Sequence, residues 1–252
     1  IIFADGVQYP ARVGCVSLSV GNGEAFCAAG GGKAVIIDIS AGNYSPVSAA
    51  YEAAASLGAT ETAALVLTHY HVRHIGTVSR FVSEHKVRSV YLPEPVTSKD
   101  ASVALSLADA AEIAGVPAFV YSSFEDIDVF GGITLCLSGP LRIDRSTHPV
   151  LAFSLRSGSR SIVWFGRSSW ESFEIASNLK IDEETTVLAG LHGPVIKSAC
   201  TFPVSDARRI MLYKPDQIAS LTAGAVRPSL LFDLSRTAVE IFPSGIYVEI
   251  GP

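Results

Sequence analysis

The chain has 252 residues, 48% of them apolar and 17% charged, with a mean hydropathy of +0.36 and a net charge of −5. This composition supports a sizeable core and excludes intrinsic disorder, while no run of eighteen uncharged apolar residues is present to span a membrane. Nineteen Lys and Arg against 24 Asp and Glu exclude a broad nucleic-acid-binding surface and leave room only for a local basic groove. The chain begins Ile1-Ile2 and its one methionine is Met211, so it is read as a processed product or a piece of a longer protein. Four cysteines (Cys15, Cys27, Cys136, Cys200) lie outside any CxxC pair, which argues for buried thiols over a zinc ribbon or a redox motif.

In chain order, Val16–Val20 and Ala25–Ala29 read as strands around the turn signal Gly21-Asn22-Gly23. Three glycines follow, and Ala34–Ile39 is an interior strand interrupted by a single acid, Asp38. Pro46–Leu57 is Ala-rich and helical, closed by Gly58. A short apolar strand, Ala64–Leu67, runs straight into Thr68-His69. A helix over Ile75–His85, a strand over Val90–Leu92 and an amphipathic helix over Lys99–Ala114, ended by Gly115 and Pro117, come next. The second half repeats this grammar. Strands are predicted over Ala118–Tyr121, Ile127–Phe130, Ile133–Leu137, Val150–Leu155, Ser161–Phe165 and Val187–Leu191, with a helix over Trp170–Leu179. The tail adds strands at Leu230–Leu234, Ala238–Ile241 and Ile246–Ile250. No low-complexity linker divides the chain, so the pattern predicts one domain of two packed sheets with helices outside.

Six histidines are present, and three of them crowd into His69-Tyr70-His71-Val72-Arg73-His74, just after an apolar strand. Residues two apart in extended backbone share a face, so His69 and His71 can converge, with His74 joining from the turn that follows. His148 follows a turn-like run and His192 ends a strand. Imidazole is the commonest metal ligand. The alternative from spacing alone is a set of loop histidines with ordinary hydrogen bonds. His85, between Glu84 and Lys86, reads as an exposed helix-end residue, and Asp38 as a hydrogen-bond partner of the histidine loop.

Several strings resemble the metallo-β-lactamase fold, and within it the soluble C-terminal domain of ComEC-type competence proteins, over roughly residues 13–250. Val20-Gly21-Asn22-Gly23 is similar to the family's VGQG turn, and Lys33–Ile39 to the next strand with its supporting Asp. Leu65–Gly76 (LVLTHYHVRHIG) resembles the LVLTHxHxDHxGG signature. Ile162–Arg167 resembles the strand ending in Gly-Asp, Val187–Gly193 the late strand with an HHG-type loop, and Asp233–Ile241 the terminal strand segment. The resemblance implies an αββα four-layer sandwich of two mixed β-sheets. It further implies a soluble domain attached to a bacterial membrane protein on its outer face, with the membrane-embedded remainder of the parent chain as partner and DNA met locally.

The resemblance also implies a ligand set. His69 and His71 occupy two first-site positions, and His148, nineteen residues before Arg167, a third; His74 and His192 occupy second-site positions. The two carboxylates of the pattern are replaced, one by Arg73 and the other, the bridging Asp, by Arg167. Each exchange sets an always-protonated guanidinium where an anion belongs, a change of about four charge units in all. The expectation is therefore a degenerate, non-catalytic domain without a resident metal. The alternatives are a mono-zinc hydrolase of phosphodiesters using the remaining histidines, and an anion-binding domain using Arg73 and Arg167.

Overall fold

The computed structural model describes residues 13–20, 23–39, 46–70, 75–122, 125–130, 133–137, 152–157, 159–165, 181–190, 209–213, 238–242 and 246–250. Strands β1 (Val13–Val20) and β2 (Gly23–Gly30) pair antiparallel with Val20 opposite Gly23, so the Gly21-Asn22 signal sits where a two-residue connection is needed. β3 (Lys33–Ile37) is buried on both faces: Val35 and Ile37 turn to one side, Ala34 and Ile36 to the other. Such a strand must lie inside a covered sheet. β4 (Glu61–Val66) repeats the pattern, and β5 (Val90–Pro93) and β6 (Ala118–Tyr121) follow in parallel. The last strand, β14 (Ile246–Ile250), returns to pair with β1, so the first sheet runs β14-β1-β2-β3-β4-β5-β6.

The second sheet takes β7 (Glu125–Phe130), β8 (Ile133–Leu137), β9 (Ala152–Ser157), β10 (Arg160–Phe165), β11 (Thr185–Gly190), β12 (Arg209–Tyr213) and β13 (Ala238–Phe242) in chain order. Each sheet has three antiparallel pairings followed by three parallel ones. The two pack face to face through one apolar cluster, with Phe26 edge-on to Phe153 at 5.0 Å and Phe153 stacked on Trp164 at 5.0 Å. The fold is thus an α/β sandwich of two mixed sheets.

A second cluster covers the other face of the first sheet, where α1 (Pro46–Ser56), α2 (Val78–Glu84) and α3 (Ser98–Ile113) lie. α1 stops at Gly58, whose φ of +83° only glycine adopts without strain; Gly58 N and Ala59 N donate to Ala55 O and Ala54 O at 2.9 Å each. α3 opens on a capping box: Asp100 N donates to Thr97 Oγ1, and Thr97 N to Asp100 Oδ2, both at 3.1 Å. α2 begins later than its sequence suggests because Gly76 and Thr77 form a turn.

The parallel strand β12 was not among the sequence expectations. Its apolar run, Ile210-Met211-Leu212, is too short to show a period. The helix expected over Trp170–Leu179 and the strand over Leu230–Leu234 lie outside the described residues. Cys15, Cys27 and Cys136 are buried free thiols. Cys15 belongs to the inter-sheet cluster and Cys27 to the helix-side cluster, so neighbouring strands carry them to opposite faces. Burial pushes the Cys27 thiol up to about 12. Among the described residues no helix is long and apolar enough to cross a membrane.

Candidate functional site

Chain direction decides where the candidate residues can meet. β3, β4, β5 and β6 run parallel, so their C-terminal ends share one rim of the first sheet. Only residues 122–124 separate β6 from β7, so β7 starts at that same rim. β7, β8, β9 and β10 alternate in direction, which brings the end of β8, the start of β9 and the end of β10 to it. β11 is parallel to β10 and ends there too. The segments that follow β3, β4, β8, β10 and β11 carry Asp38, then His69 to His74, then His148, Arg167 and His192. The strand ends from which these segments leave therefore share one rim. Of these, Asp38 and His69 are described; His71, Arg73, His74, His148, Arg167 and His192 lie outside the described residues.

Asp38 and His69 are brought together through Thr68. Asp38 is fully buried and holds a φ of +56°, a left-handed backbone that Asp tolerates better than most residues. Its N–H donates to Val66 O at 2.8 Å, which ties the end of β3 to the end of β4. Its carboxylate accepts Thr68 N at 2.8 Å on Oδ1 and Thr68 Oγ1 at 2.5 Å on Oδ2. Thr68 has one hydroxyl proton, and the carboxylate takes it. Thr68 Oγ1 can then only accept from His69 Nδ1, 2.9 Å away. The proton of a neutral His69 ring accordingly sits on Nδ1, and Nε2 carries the lone pair. This is how a carboxylate fixes the tautomer of a ligating histidine, here with a hydroxyl between them.

Two tyrosines pin the same segment from below. Tyr121, at the end of β6, donates from its hydroxyl to Leu67 O at 2.6 Å. Tyr70 donates to Pro93 O at the end of β5. Both rings are buried, and burial pushes both hydroxyls well above the usual tyrosine value. The Asp38 carboxylate pushes Tyr121 in the same direction. Residues 67–70 are thus tethered to β3, β5 and β6 at once. Neither tyrosine was singled out as a site residue from the sequence, because the partners, Leu67 and Pro93, are backbone carbonyls with no side-chain signature.

His85 stands apart from this rim and corrects an expectation. It caps α2, but it is half-buried, stacked on Tyr51 at 4.1 Å and against Phe81 at 4.7 Å. Burial lowers its pKa. Arg160, at the start of β10, pairs with Glu184 at 3.7 Å. Among the described residues no group of three or more His, Cys, Asp or Glu side chains is placed to hold a metal.

No family model matches the chain, and no curated protein does. Solved structures do. The YhfI metallo-β-lactamase-fold protein of Bacillus subtilis superposes with a TM-score of 0.58 at 14% identity, covering 94% of this chain and 100% of its own. Zn2+-bound PqqB of Methylobacterium extorquens gives 0.58 at 10% identity, over 95% and 100%. A diphosphatase of the PhnP family gives 0.52 at 17% identity, over 95% and 98%. The match is end to end in both partners. This chain has the metallo-β-lactamase fold. Identities this low carry the fold alone.

The donor chemistry of the chain can be tested against the metals that the fold holds elsewhere. Two positions bear on a two-cation centre. The position two residues past the end of β10 is Arg167, and the fifth residue of the His69 string is Arg73. Neither guanidinium can lose its proton to become a ligand, and both repel a cation. A single cation meets a better case at His69, where the lone pair on Nε2 is prearranged.

Proposed function

We propose that this chain is a metallo-β-lactamase-fold binding domain that has lost two-metal hydrolysis, in the setting of a ComEC-like DNA-uptake membrane protein. The observation that carries the loss is the pair of arginines at positions where the fold's hydrolases need carboxylates. Without those groups no anionic ligand bridges two cations, and no carboxylate orients an attacking water. The ComEC setting rests on the order of sequence strings from Val20 to Ile241 and goes beyond what the fold supplies. The role in that setting is contact with the membrane-embedded remainder of the parent chain and with DNA passing locally.

A second reading is favoured by the Asp38–Thr68–His69 chain. A buried carboxylate, a strained backbone and a fixed tautomer are an expensive arrangement for a histidine with no ligand to hold. On this reading His69, with His71 and His148, would hold one zinc, which when bound supplies Lewis acidity and a nucleophilic hydroxide at neutral pH. This chain's own contribution is the orientation of the His69 ring.

Elemental analysis after zinc loading and dialysis separates the two. The binding-domain reading expects well under one metal per chain, no cleavage of bis(p-nitrophenyl) phosphate, and a gain of bound zinc in the double variant Arg73→Asp/Arg167→Asp. Near-stoichiometric zinc in the unmodified chain, abolished by His71→Ala, overturns it in favour of the mono-zinc hydrolase.

A further inference from the structure

An unpaired strand edge is a template for another chain unless something blunts it. Among the described residues the two sheets have four edge strands. β7 is blunted by exposed Asp126 and Asp128 and by a register break between Asp128 and Phe130. β13 carries Glu240 and β14 carries Glu249. β6, Ala118-Phe119-Val120-Tyr121, carries no charge and pairs with β5 in unbroken register. Among the described strands it is the one edge with no charged residue in its own sequence.

The geometry of β6 leaves that edge ready to pair. Pro117 O accepts from Val90 N at 2.9 Å and Tyr121 O from Glu94 N at 2.8 Å, so the odd-numbered residues bond toward β5. In a parallel ladder the residues between them direct N–H and C=O the other way. Ala118 and Val120 therefore present both groups on the open side. Phe119 is 49% exposed and Val120 60%, and on the adjoining α3 Leu105 is 64% and Ile113 88% exposed. These are four of the five exposed large apolar side chains among the described residues, two on β6 and two on α3.

Charge then selects the occupant. Residues 90–122, which form β5, α3, β6 and their connections, carry Glu94, Asp100, Asp109 and Glu112 against a single cation, Lys99. A second copy paired on β6 would set this surface against itself, and like charges facing one another are destabilising. We propose that β6 docks an extended segment of a partner protein in which apolar residues alternate with Lys or Arg, added to the first sheet as an eighth strand. Backbone pairing to Ala118 and Val120 supplies the grip, and the carboxylates select the sequence. This surface is independent of the metal question at the rim.

The test is a titration of the 15N-labelled chain with a capped peptide of alternating Val and Lys, and with its Val and Glu counterpart. The expected result is saturable binding of the Lys peptide, with at least tenfold slower amide exchange at Ala118 and Val120, and at least tenfold weaker binding of the Glu peptide. Val120→Pro removes an edge N–H without changing charge and is expected to weaken the Lys peptide at least tenfold. If its melting curve shows that it does not fold, Val120→Lys at the same exposed position serves instead. Equal binding of the two peptides, protection elsewhere on the chain, or undiminished binding to the Val120 variant overturns the proposal. Dimerisation of the chain through β6 in sedimentation also overturns it, by making a second copy the occupant.

Discussion

Thr68→Val is the sharpest probe of the histidine loop. Valine keeps the branched shape and removes only the hydroxyl, which in the structure both donates to Asp38 Oδ2 and accepts from His69 Nδ1. Asp38 is fully buried, so its oxygen finds no water to replace the lost donor. A hydrogen bond to a charged group is worth about 1.5–3 kcal/mol. The methyl that replaces the hydroxyl returns part of this, because Thr68 is itself buried. The expected loss is about 2 kcal/mol, or about 4–8 °C in Tm for a chain of this size. Thr68→Ser keeps the hydroxyl and is expected to cost under about 1 kcal/mol. Urea unfolding measures the cost, and long-range 1H–15N spectra of the imidazole report its tautomer. The Val variant is expected to release His69 from the Nδ1–H form while the Ser variant keeps it. Equal stability of the Val variant and the unmodified chain, or an unchanged tautomer in the Val variant, refutes the relay.

Two other perturbations follow from the same structure. Glu61 accepts Lys86 Nζ at 2.7 Å and Arg88 Nη2 at 3.1 Å, which holds its carboxyl below the usual range. A depressed folded pKa contributes stability that is present at neutral pH and lost as pH falls below the ordinary carboxylate value. Glu61→Gln is therefore expected to flatten the acid limb of the stability–pH curve, and an unchanged limb counts against the clamp. Tyr121→Phe leaves Leu67 O without its buried donor. The expected cost is about 1–3 kcal/mol in urea unfolding at unchanged fold by circular dichroism; a cost below about 0.5 kcal/mol, within the range of neutral surface changes, removes Tyr121 from the set of tethers.

Much of the frame was legible because its signals are local. Gly58 and Gly115 end helices where they were expected to, with positive φ at both. The alternation of β3 and β4 between two buried faces appears in sequence as near-continuous apolar runs, which only an interior strand produces. The apolar run ending in Thr68-His69 marked the place where a strand delivers side chains to a rim. What stayed hidden depends on distant partners. Nothing near Tyr121 in sequence announces that its hydroxyl will reach Leu67, 54 positions away. Nothing in the sequence marks the Thr68 hydroxyl, which lies between Asp38, 30 positions away, and His69. His85 looked exposed because its neighbours are charged, but Tyr51 of α1 covers it. The residue types at positions 73 and 167 were readable at once.

The pairing of β14 with β1 has a consequence for how the chain is made. Val13 lies opposite Ile250, so the edge opened by the first described strand is closed by the last. Synthesis runs from the N-terminus. β1 can form its hairpin with β2 soon after leaving the ribosome, yet its other side waits until Ile246–Ile250 has been made. During that interval β1 has an uncovered edge, which its pairing with β14 later closes. A strand added last, across so long a separation, contributes little to the speed of folding and much to its completion. It is also the strand most easily exchanged between two chains emerging side by side.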